Sequence, residues 1–274
     1  MKNKKHYKNT DKSIKILVVY HKKDELFKND ILVPIHAGRA KAFEKSKDGQ
    51  ISKEDYNWLL KNMIGDDTDN NISHLNRELN ELTAIYWAWK NYDKLGNPDY
   101  IGLNHYKRFF DIEYKSIPNL LNKYYYIKTG FHCNQKISVY DAWINCSKSW
   151  ADNDFLDNAL DLCNKITGNN DIENYFKTGA EGDSYFNMFI LPKEEFFKYC
   201  EFLFSIIFKL PNSKEERTKA MFAERLTAYY LKTLEKKHKC LNAKVINYCY
   251  STILQKIPYL IKKLFFVIRI SFSN

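Results

Sequence analysis

The sequence lacks several patterns that mark particular classes of protein. Its six cysteines, at positions 133, 146, 163, 200, 240 and 249, form no C-x-x-C pair, so a zinc site built on paired thiolates is not expected. No helix-turn-helix, zinc-finger or single-strand-binding signature is present, and nucleic-acid binding is therefore supported by charge alone. No internal repeat is found, so a repeat array is not expected.

A secretory signal is also missing. Residues 1–13 are polar, and the apolar run at 14–20 is short, β-branched and without a small-residue cleavage site. Because disulfides persist mainly in oxidising compartments, we expect reduced thiols in a cytoplasmic protein.

The composition supports a folded domain with an excess of positive charge. The 274 residues are 45% hydrophobic and 16% aromatic, enough apolar area for one large domain or for one domain with a tail. The net charge of +10 favours anionic partners such as phosphorylated substrates, acidic lipids or nucleic acid. An alternative is that part of this charge reflects a lysine-rich composition without functional meaning.

Strand and helix patterns alternate along the first part of the chain. Buried strands are predicted at 14–20, 33–37 and 100–104, and an amphipathic helix at 75–92 lies between the last two. This order predicts an α/β architecture with mostly parallel strands. In the second half the patterns predict a strand at 185–191 and helices at 193–210 and 214–235.

The most informative segment is 101–110, where a short apolar run ends in His105, Tyr106, Lys107 and Arg108. In open α/β sheets, ligands bind at the carboxyl ends of the strands. Cationic donors at such an edge suit an anionic ligand, and a diphosphate is the obvious candidate. Alternate side chains of an extended segment face opposite ways, so we expect two of them, His105 and Arg108, to contact phosphate. The alternative is a solvated basic strand end.

The C-terminal region, residues 253–270, has large apolar residues on one helical face and Lys262, Lys263 and Arg269 opposite them. Its four separated charges argue against a transmembrane span. A basic amphipathic helix lying on an anionic membrane surface is the functional interpretation. Packing of this helix on the domain or on a partner is the alternative.

An ordered series of segments resembles a known family. The segments are 16–22, 34–38, 66–73, 81–91, 102–110, 185–190 and 221–226, and together they extend over roughly residues 14–235. The series is similar to bacterial capsular and exopolysaccharide synthesis proteins of a domain-of-unknown-function family that resembles GT-A glycosyltransferases. Lys107 stands where that family usually has arginine, and Asp69 where it often has glycine; lysine keeps the charge but loses the bidentate fork.

The resemblance implies a GT-A-like (Rossmann-like) fold, with a mostly parallel central sheet flanked by helices. We expect a flexible N-terminus (1–13), a glycosyltransferase domain (14–240) and a basic amphipathic tail (241–274), of which only the domain takes part in the resemblance. It also implies transfer of a sugar from a nucleotide-diphosphate donor to a lipid-diphosphate-linked glycan acceptor in surface polysaccharide synthesis. The implied donor is a UDP-hexose, with galactose in pyranose or furanose form as the candidates.

That reaction would place the protein at the inner face of the plasma membrane, as a peripheral protein. The alternative is a non-catalytic protein that binds a nucleotide or glycan in the same basic cleft. A charge-driven nucleic-acid-binding protein is the third interpretation, and no nucleic-acid partner is expected.

GT-A enzymes commonly hold a metal through Asp-x-Asp after a central strand. Here that place holds residues 104–108, and we expect His105, Lys107 and Arg108 to replace the metal wholly or in part. A literal Asp-x-Asp occurs at Asp67 and Asp69, but it precedes a helix, so a helix start is favoured there over a divalent metal site. No cofactor is certain.

The resemblance also suggests roles for individual residues. Glu224 is the first candidate for the catalytic base and Asp183 the second, whereas a surface charge pair is the alternative for Glu224 and Arg225. Tyr20 is a candidate for stacking on the base or for the core. The candidate substrate-binding residues are Tyr20, His21, Asp67, Asn70, Asn71, Asn76, Asn104, His105, Lys107, Arg108, Asn187 and Arg225.

Overall fold

The computed structural model describes residues 12–45, 50–130, 137–150, 153–179 and 186–247. Within these ranges the chain forms one sheet of nine strands. The strands are β1 (Ile14–Tyr20), β2 (Leu32–His36), β3 (Ile64–Gly65), β4 (Tyr100–His105), β5 (Arg108–Phe110), β6 (Tyr126–Thr129), β7 (Phe189–Pro192), β8 (Cys240–Ala243) and β9 (Val245–Asn247).

Helices cover the sheet. They are α1 (Lys53–Asn62), α2 (Asn76–Leu79), α3 (Leu82–Lys90), α4 (Ile117–Leu121), α5 (Val139–Trp150), α6 (Asn153–Thr167), α7 (Asp171–Thr178), α8 (Lys193–Ile207) and α9 (Thr218–Glu235). None of the helices within the described ranges is both long and apolar enough to span a membrane.

The strand order is β3-β2-β1-β4-β7-β6-β8, with β5 pairing with β4 and β9. Strands β1 to β4 are parallel, β7 runs antiparallel to β4 and β6, and β6 is parallel to β8. Parallel pairings therefore predominate along the main path, and the predicted α/β fold with a mostly parallel central sheet is confirmed. The carboxyl ends of β1, β2, β3 and β4 meet at one edge, called here the carboxyl edge.

Apolar side chains on both faces of β1 account for its central position. Leu17 and Val19 belong to one core cluster, whereas Ile16 and Val18 belong to the other. Burying each such side chain contributes about 1.5–3 kcal/mol, so the uninterrupted apolar run fixes this strand inside the sheet. Gly102 in β4 allows the neighbouring strand β7 to approach closely, since a Cβ on residue 102 would lie 2.7 Å from the Phe189 carbonyl oxygen.

Two sequence predictions need correction. The helix predicted at 75–92 is interrupted at Asn80, which has a φ of 48° between α2 and α3. The Asn76 Nδ2 donates to the Asn80 carbonyl over 2.7 Å and to Thr83 Oγ1 over 3.1 Å, which satisfies the backbone where helical hydrogen bonding stops. The strand predicted at 185–191 begins at Phe189, because Phe186 and Asn187 form a left-handed turn.

The predictions for β1, β2, β4, α8 and α9 are confirmed to within a few residues. The patterns did not predict α1, and the prediction of a basic amphipathic helix at 253–270 lies outside the described residues. The domain boundary at 240 stays a prediction, although β8 and β9 carry the sheet as far as Asn247.

Candidate functional site

The candidate site lies along the carboxyl edge, where polar residues end or follow four parallel strands. His21 follows β1, His36 ends β2, Asp66 follows β3 and His105 ends β4. The edge therefore carries imidazole and carboxylate groups, of which the sequence predicted the imidazole of His105.

The buried Asp66 carboxylate holds the loops of this edge together. It accepts hydrogen bonds from Gly38 N (2.7 Å), Arg39 N (3.1 Å), Ser73 Oγ (2.5 Å) and Thr83 Oγ1 (2.5 Å). Burial raises the pKa of Asp66, and these hydrogen bonds act in the opposite direction. Because Asp66 binds so many protein donors, it supports the site and is not available to a ligand.

Asp67 is engaged by Arg39. The Asp67 Oδ1 accepts from Arg39 Nε over 2.6 Å and lies 2.5 Å from Nη2. Gly65 makes room for this arginine, since a Cβ on residue 65 would lie 1.6 Å from the Arg39 Cζ. The predicted contact of Asp67 with substrate stays a prediction, and Arg39 lies beside this carboxylate.

Asn70, Asn71 and Asn76, which follow β3, make hydrogen bonds that stabilise the local backbone. Asn91 pairs with the Asn70 backbone, accepting from its N–H over 3.3 Å and donating to its carbonyl over 2.9 Å. Asn71 Oδ1 accepts from Ser73 N over 3.2 Å, a local contact typical of an asparagine in a turn. Asn76 bonds the α2–α3 junction and packs on Gly38. Contacts of these three residues with a substrate stay predictions.

Tyr20 lies in the hydrophobic core, which was one of its two predicted positions. It is fully buried, its hydroxyl donates to the Glu25 carbonyl over 2.8 Å, and it accepts from Phe27 N over 3.0 Å. Burial raises the pKa of this phenol. We therefore do not assign it to base stacking. His21 is exposed at the edge, with Nε2 3.5 Å from the Tyr106 hydroxyl.

Sequence reasoning assigned no role to His36. It is 1% exposed, and burial, with a smaller effect from Arg39, lowers the pKa of His36 to about 4. A neutral imidazole therefore stands beside Arg39. The signal was present in the sequence, because His36 ends a predicted parallel strand at the same edge as His105.

The β4–β5 hairpin places its four predicted residues differently. Asn104 is fully buried and donates to the Tyr114 hydroxyl over 2.6 Å, so it does not face the edge. Lys107 Nζ lies 5.0 Å from the Tyr106 ring centroid. The Arg108 guanidinium lies 4.2 Å from the Phe186 ring centroid, a cation–π contact.

His105 contacts the same phenylalanine. Its Nε2 lies 2.7 Å from the Phe186 carbonyl oxygen. Burial lowers the pKa of His105, the nearby Glu81 acts to raise it, and Arg108 acts to lower it. His105 and Arg108, predicted to act as a pair, are thus brought together on Phe186.

The turn formed by Phe186 and Asn187, called here the 186–187 turn, is held from three sides. Glu224 Oε1 accepts from Phe186 N, and Asn187 Nδ2 donates to Glu81 Oε1 over 2.7 Å. Thr227 Oγ1 donates to Asn187 Oδ1 over 2.7 Å. Phe186 has a φ of 70°, a conformation that costs about 1–3 kcal/mol and that clusters at functional sites.

Glu224 also contacts Arg225, whose Nη1 lies 3.2 Å from Glu224 Oε2. Arg225 is buried and lies over Trp143, so this pair is not the surface pair that the alternative required. The structure therefore gathers His105, Arg108, Asn187, Glu224 and Arg225 around one turn. Asp183 lies outside the described residues, and its predicted role is untested.

The Asp-x-Asp motif at Asp67 and Asp69 does not have the surroundings of a cation site. Asp67 is paired with Arg39, and the described part of the chain contains no cluster of three His, Cys, Asp or Glu residues placed to hold a metal ion. A second positive charge would repel Arg39, so these donors do not fit a divalent cation.

The chain is similar to a solved structure, the WbbM bifunctional glycosyltransferase in its apo form, with a TM-score of 0.67 and 24% identity. The match covers 88% of this chain and 46% of the WbbM chain, so this chain spans less than half of that protein. At this identity the likeness shows the fold. No curated protein matches the chain. The family model described as a domain of unknown function, DUF4422, matches residues 15–240, and the chain belongs to this family.

Proposed function

We propose that the chain is a glycosyltransferase that moves a sugar from a nucleotide-diphosphate donor to a glycan acceptor. One observation carries the proposal. Arg39 of the carboxyl edge contacts Asp67, and Arg225 of α9 contacts Glu224 at the 186–187 turn. Arg108 has no carboxylate partner among residues that the structure describes, and its buried Nε makes no hydrogen bond there. A guanidinium held in place without a counter-charge suits an incoming anion.

The chemistry requires such a group. When the sugar leaves the donor, negative charge grows on the departing diphosphate, and preorganised cations lower the barrier by stabilising that charge. Arg108 and Lys107 would supply two positive charges at the end of β4. The likeness of the fold to a glycosyltransferase structure supports this assignment.

The nucleoside would lie at the ends of β1, β2 and β3. His21 is exposed there, and Arg39 and Asp67 form a polar pair beside it. His36, which is neutral, ends β2, and residues 70–71 form the loop after β3, so both would lie near the nucleoside. The arrangement follows the general placement of ligands at the carboxyl ends of parallel strands.

The finer proposal concerns donor, acceptor and place. We propose a UDP-hexose donor, with galactose in pyranose or furanose form as the first candidates, and a lipid-diphosphate-linked oligosaccharide acceptor. The basic sequence at 253–270 would bring the enzyme to the anionic inner face of the plasma membrane. The net charge of +10 supports both anionic partners.

A panel of nucleotide sugars, with and without a chelator, tests the proposal. We expect the wild type to release a nucleoside diphosphate from at least one donor, and Arg108→Gln to weaken donor binding at least tenfold. Arg217→Gln, which removes the same charge from an exposed residue before α9, should bind as wild type does. Nucleotide binding without turnover on any donor and acceptor would instead support the non-catalytic alternative.

A further inference from the structure

The carbonyl oxygen of Phe186 determines which ring nitrogen of His105 carries a proton. A carbonyl oxygen only accepts hydrogen bonds, so the contact of 2.7 Å requires the proton to reside on His105 Nε2. In the neutral ring Nδ1 is then the acceptor. The 186–187 turn therefore presents an imidazole with its basic nitrogen turned away from the turn.

The charges around His105 suit a group that gains a proton during a reaction. Glu81, which precedes α3, favours the imidazolium form, whereas Arg108 of β5 and burial favour the neutral form. Glu224 of α9 contacts the same residue as His105, because it accepts the Phe186 N–H while His105 bonds the Phe186 carbonyl. Burial dominates, so the pKa of His105 lies below its ordinary value and the ring is neutral near pH 7.

Glu224 is less suited to that task in this structure. One carboxylate oxygen accepts the Phe186 N–H, and the other lies 3.2 Å from Arg225 Nη1. These contacts hold Phe186 in its left-handed conformation and so hold the carbonyl that orients His105. Glu224 then acts through the turn, as a positioning residue.

We infer that His105 Nδ1 is the base that takes the proton of the acceptor hydroxyl, with inversion at the anomeric carbon. This inference rests on the proposed function. The hydroxyl oxygen forms a bond to the anomeric carbon while the bond from that carbon to the diphosphate oxygen breaks. The electron pair leaves with the nucleoside diphosphate beside Arg108, and the hydroxyl proton moves to Nδ1. His105 later loses this proton to solvent.

The test compares His105→Gln with Glu224→Gln in the full chain, using a donor and acceptor on which the wild type turns over. A positioned base contributes about 10²–10⁴-fold, so we expect kcat of His105→Gln to fall by that factor while the donor Kd changes by less than about threefold. Glutamine at 224 still accepts the Phe186 N–H. We therefore expect Glu224→Gln to lose no more than about tenfold, and Glu224→Ala to lose far more.

Two readouts separate a base from a structural residue. Added imidazole should restore part of the turnover of His105→Ala, because it replaces the missing base. In the wild type, kcat/KM should fall in acid with a midpoint below about 6.5, the ordinary histidine value, and this limb should disappear in His105→Gln. His74→Gln, at an exposed histidine, is the matched control.

The possible outcomes are distinct. Full turnover by His105→Gln, or a product of retained configuration, would overturn the inference alone. If His105→Gln lost donor affinity as strongly as turnover, His105 would be a diphosphate contact, as predicted from the sequence, and the role of a base would be overturned. If His105→Gln is less stable to heat than the wild type, imidazole rescue of His105→Ala decides: rescue supports the base, and its absence overturns it. Absence of wild-type turnover on every nucleotide sugar would remove both the proposed function and the inference.

Discussion

The Asn187 side chain donates a hydrogen bond to the Glu81 carboxylate over 2.7 Å, joining residues 106 positions apart. Asn187 is 2% exposed, and its amide oxygen accepts from Thr227. This amide thus ties the turn beside His105 to the start of α3 and to the middle of α9.

Replacing Asn187 with alanine should remove the amide donor of the buried Glu81 contact and one of the three hydrogen-bond contacts of Thr227, at a cost of about 1–3 kcal/mol. Asn97 is the matched control, because it is exposed and has nearly the same backbone, with φ of 51° against 52° for Asn187. Both variants place alanine at a positive φ and are destabilised by that strain, but only Asn187→Ala also loses buried hydrogen bonds. Equal free energies of unfolding in urea for the two variants would contradict this role.

Gly65→Ala should displace Arg39 from Asp67. A Cβ on residue 65 would lie 1.6–2.0 Å from the guanidinium, so the flexible arginine must move, and the cost is the loss of its hydrogen bond to Asp67, about 1.5–3 kcal/mol for a charged partner. If the cost arises through Arg39, adding Arg39→Ala to Gly65→Ala should cost nothing more. A double-mutant cycle measured by urea unfolding checks this. Strict additivity of the two changes would show that the alanine clashes elsewhere.

His36 should make the stability depend on pH. Its pKa is about 4 in the folded protein and about 6.5 when unfolded, so between these values the unfolded chain binds more protons. The stabilisation is complete above pH 6.5 and falls by at most about 3 kcal/mol as the pH drops towards 4. Urea unfolding across this range should show a shallower slope for His36→Gln. His74→Gln should keep the wild-type slope, and an unchanged slope in His36→Gln would contradict the prediction.

The sequence at 253–270 should govern membrane binding. We expect a chain truncated after residue 250 to sediment less with anionic liposomes than the full chain does, because basic residues gain about 1 kcal/mol each at an anionic surface. Replacing Lys262, Lys263 and Arg269 with glutamine should have a similar effect, and neutral liposomes serve as the control. Equal sedimentation of the full and truncated chains with anionic liposomes would remove the membrane proposal.

Local patterns were enough to predict the central strands. The apolar runs of β1 and β4 exclude a solvent-facing side, so each indicated a buried parallel strand. Helix α1 was missed because charged and amide residues make up most of Lys53–Asn62, although Tyr56, Leu59, Leu60 and Met63 do fall at helical spacing.

Half of the candidate site could also be predicted. The rule for ligands at strand ends placed His105 and Arg108 at the edge of the sheet, and the structure brings them together. Their meeting point on Phe186 could not be predicted, because His105 and Phe186 are 81 residues apart and the contact depends on a left-handed turn. The role of Asp66 was hidden for a similar reason, since its donors are spread between Gly38 and Thr83.

A crystal structure of the full chain with a bound nucleoside diphosphate, such as UDP, tests the central claim most directly. We predict the two phosphates within hydrogen-bond distance of the Arg108 guanidinium, at the carboxyl end of β4, with the nucleoside towards β1 and β2. Phosphates bound away from Arg108, or a nucleotide bound elsewhere on the surface, would contradict it.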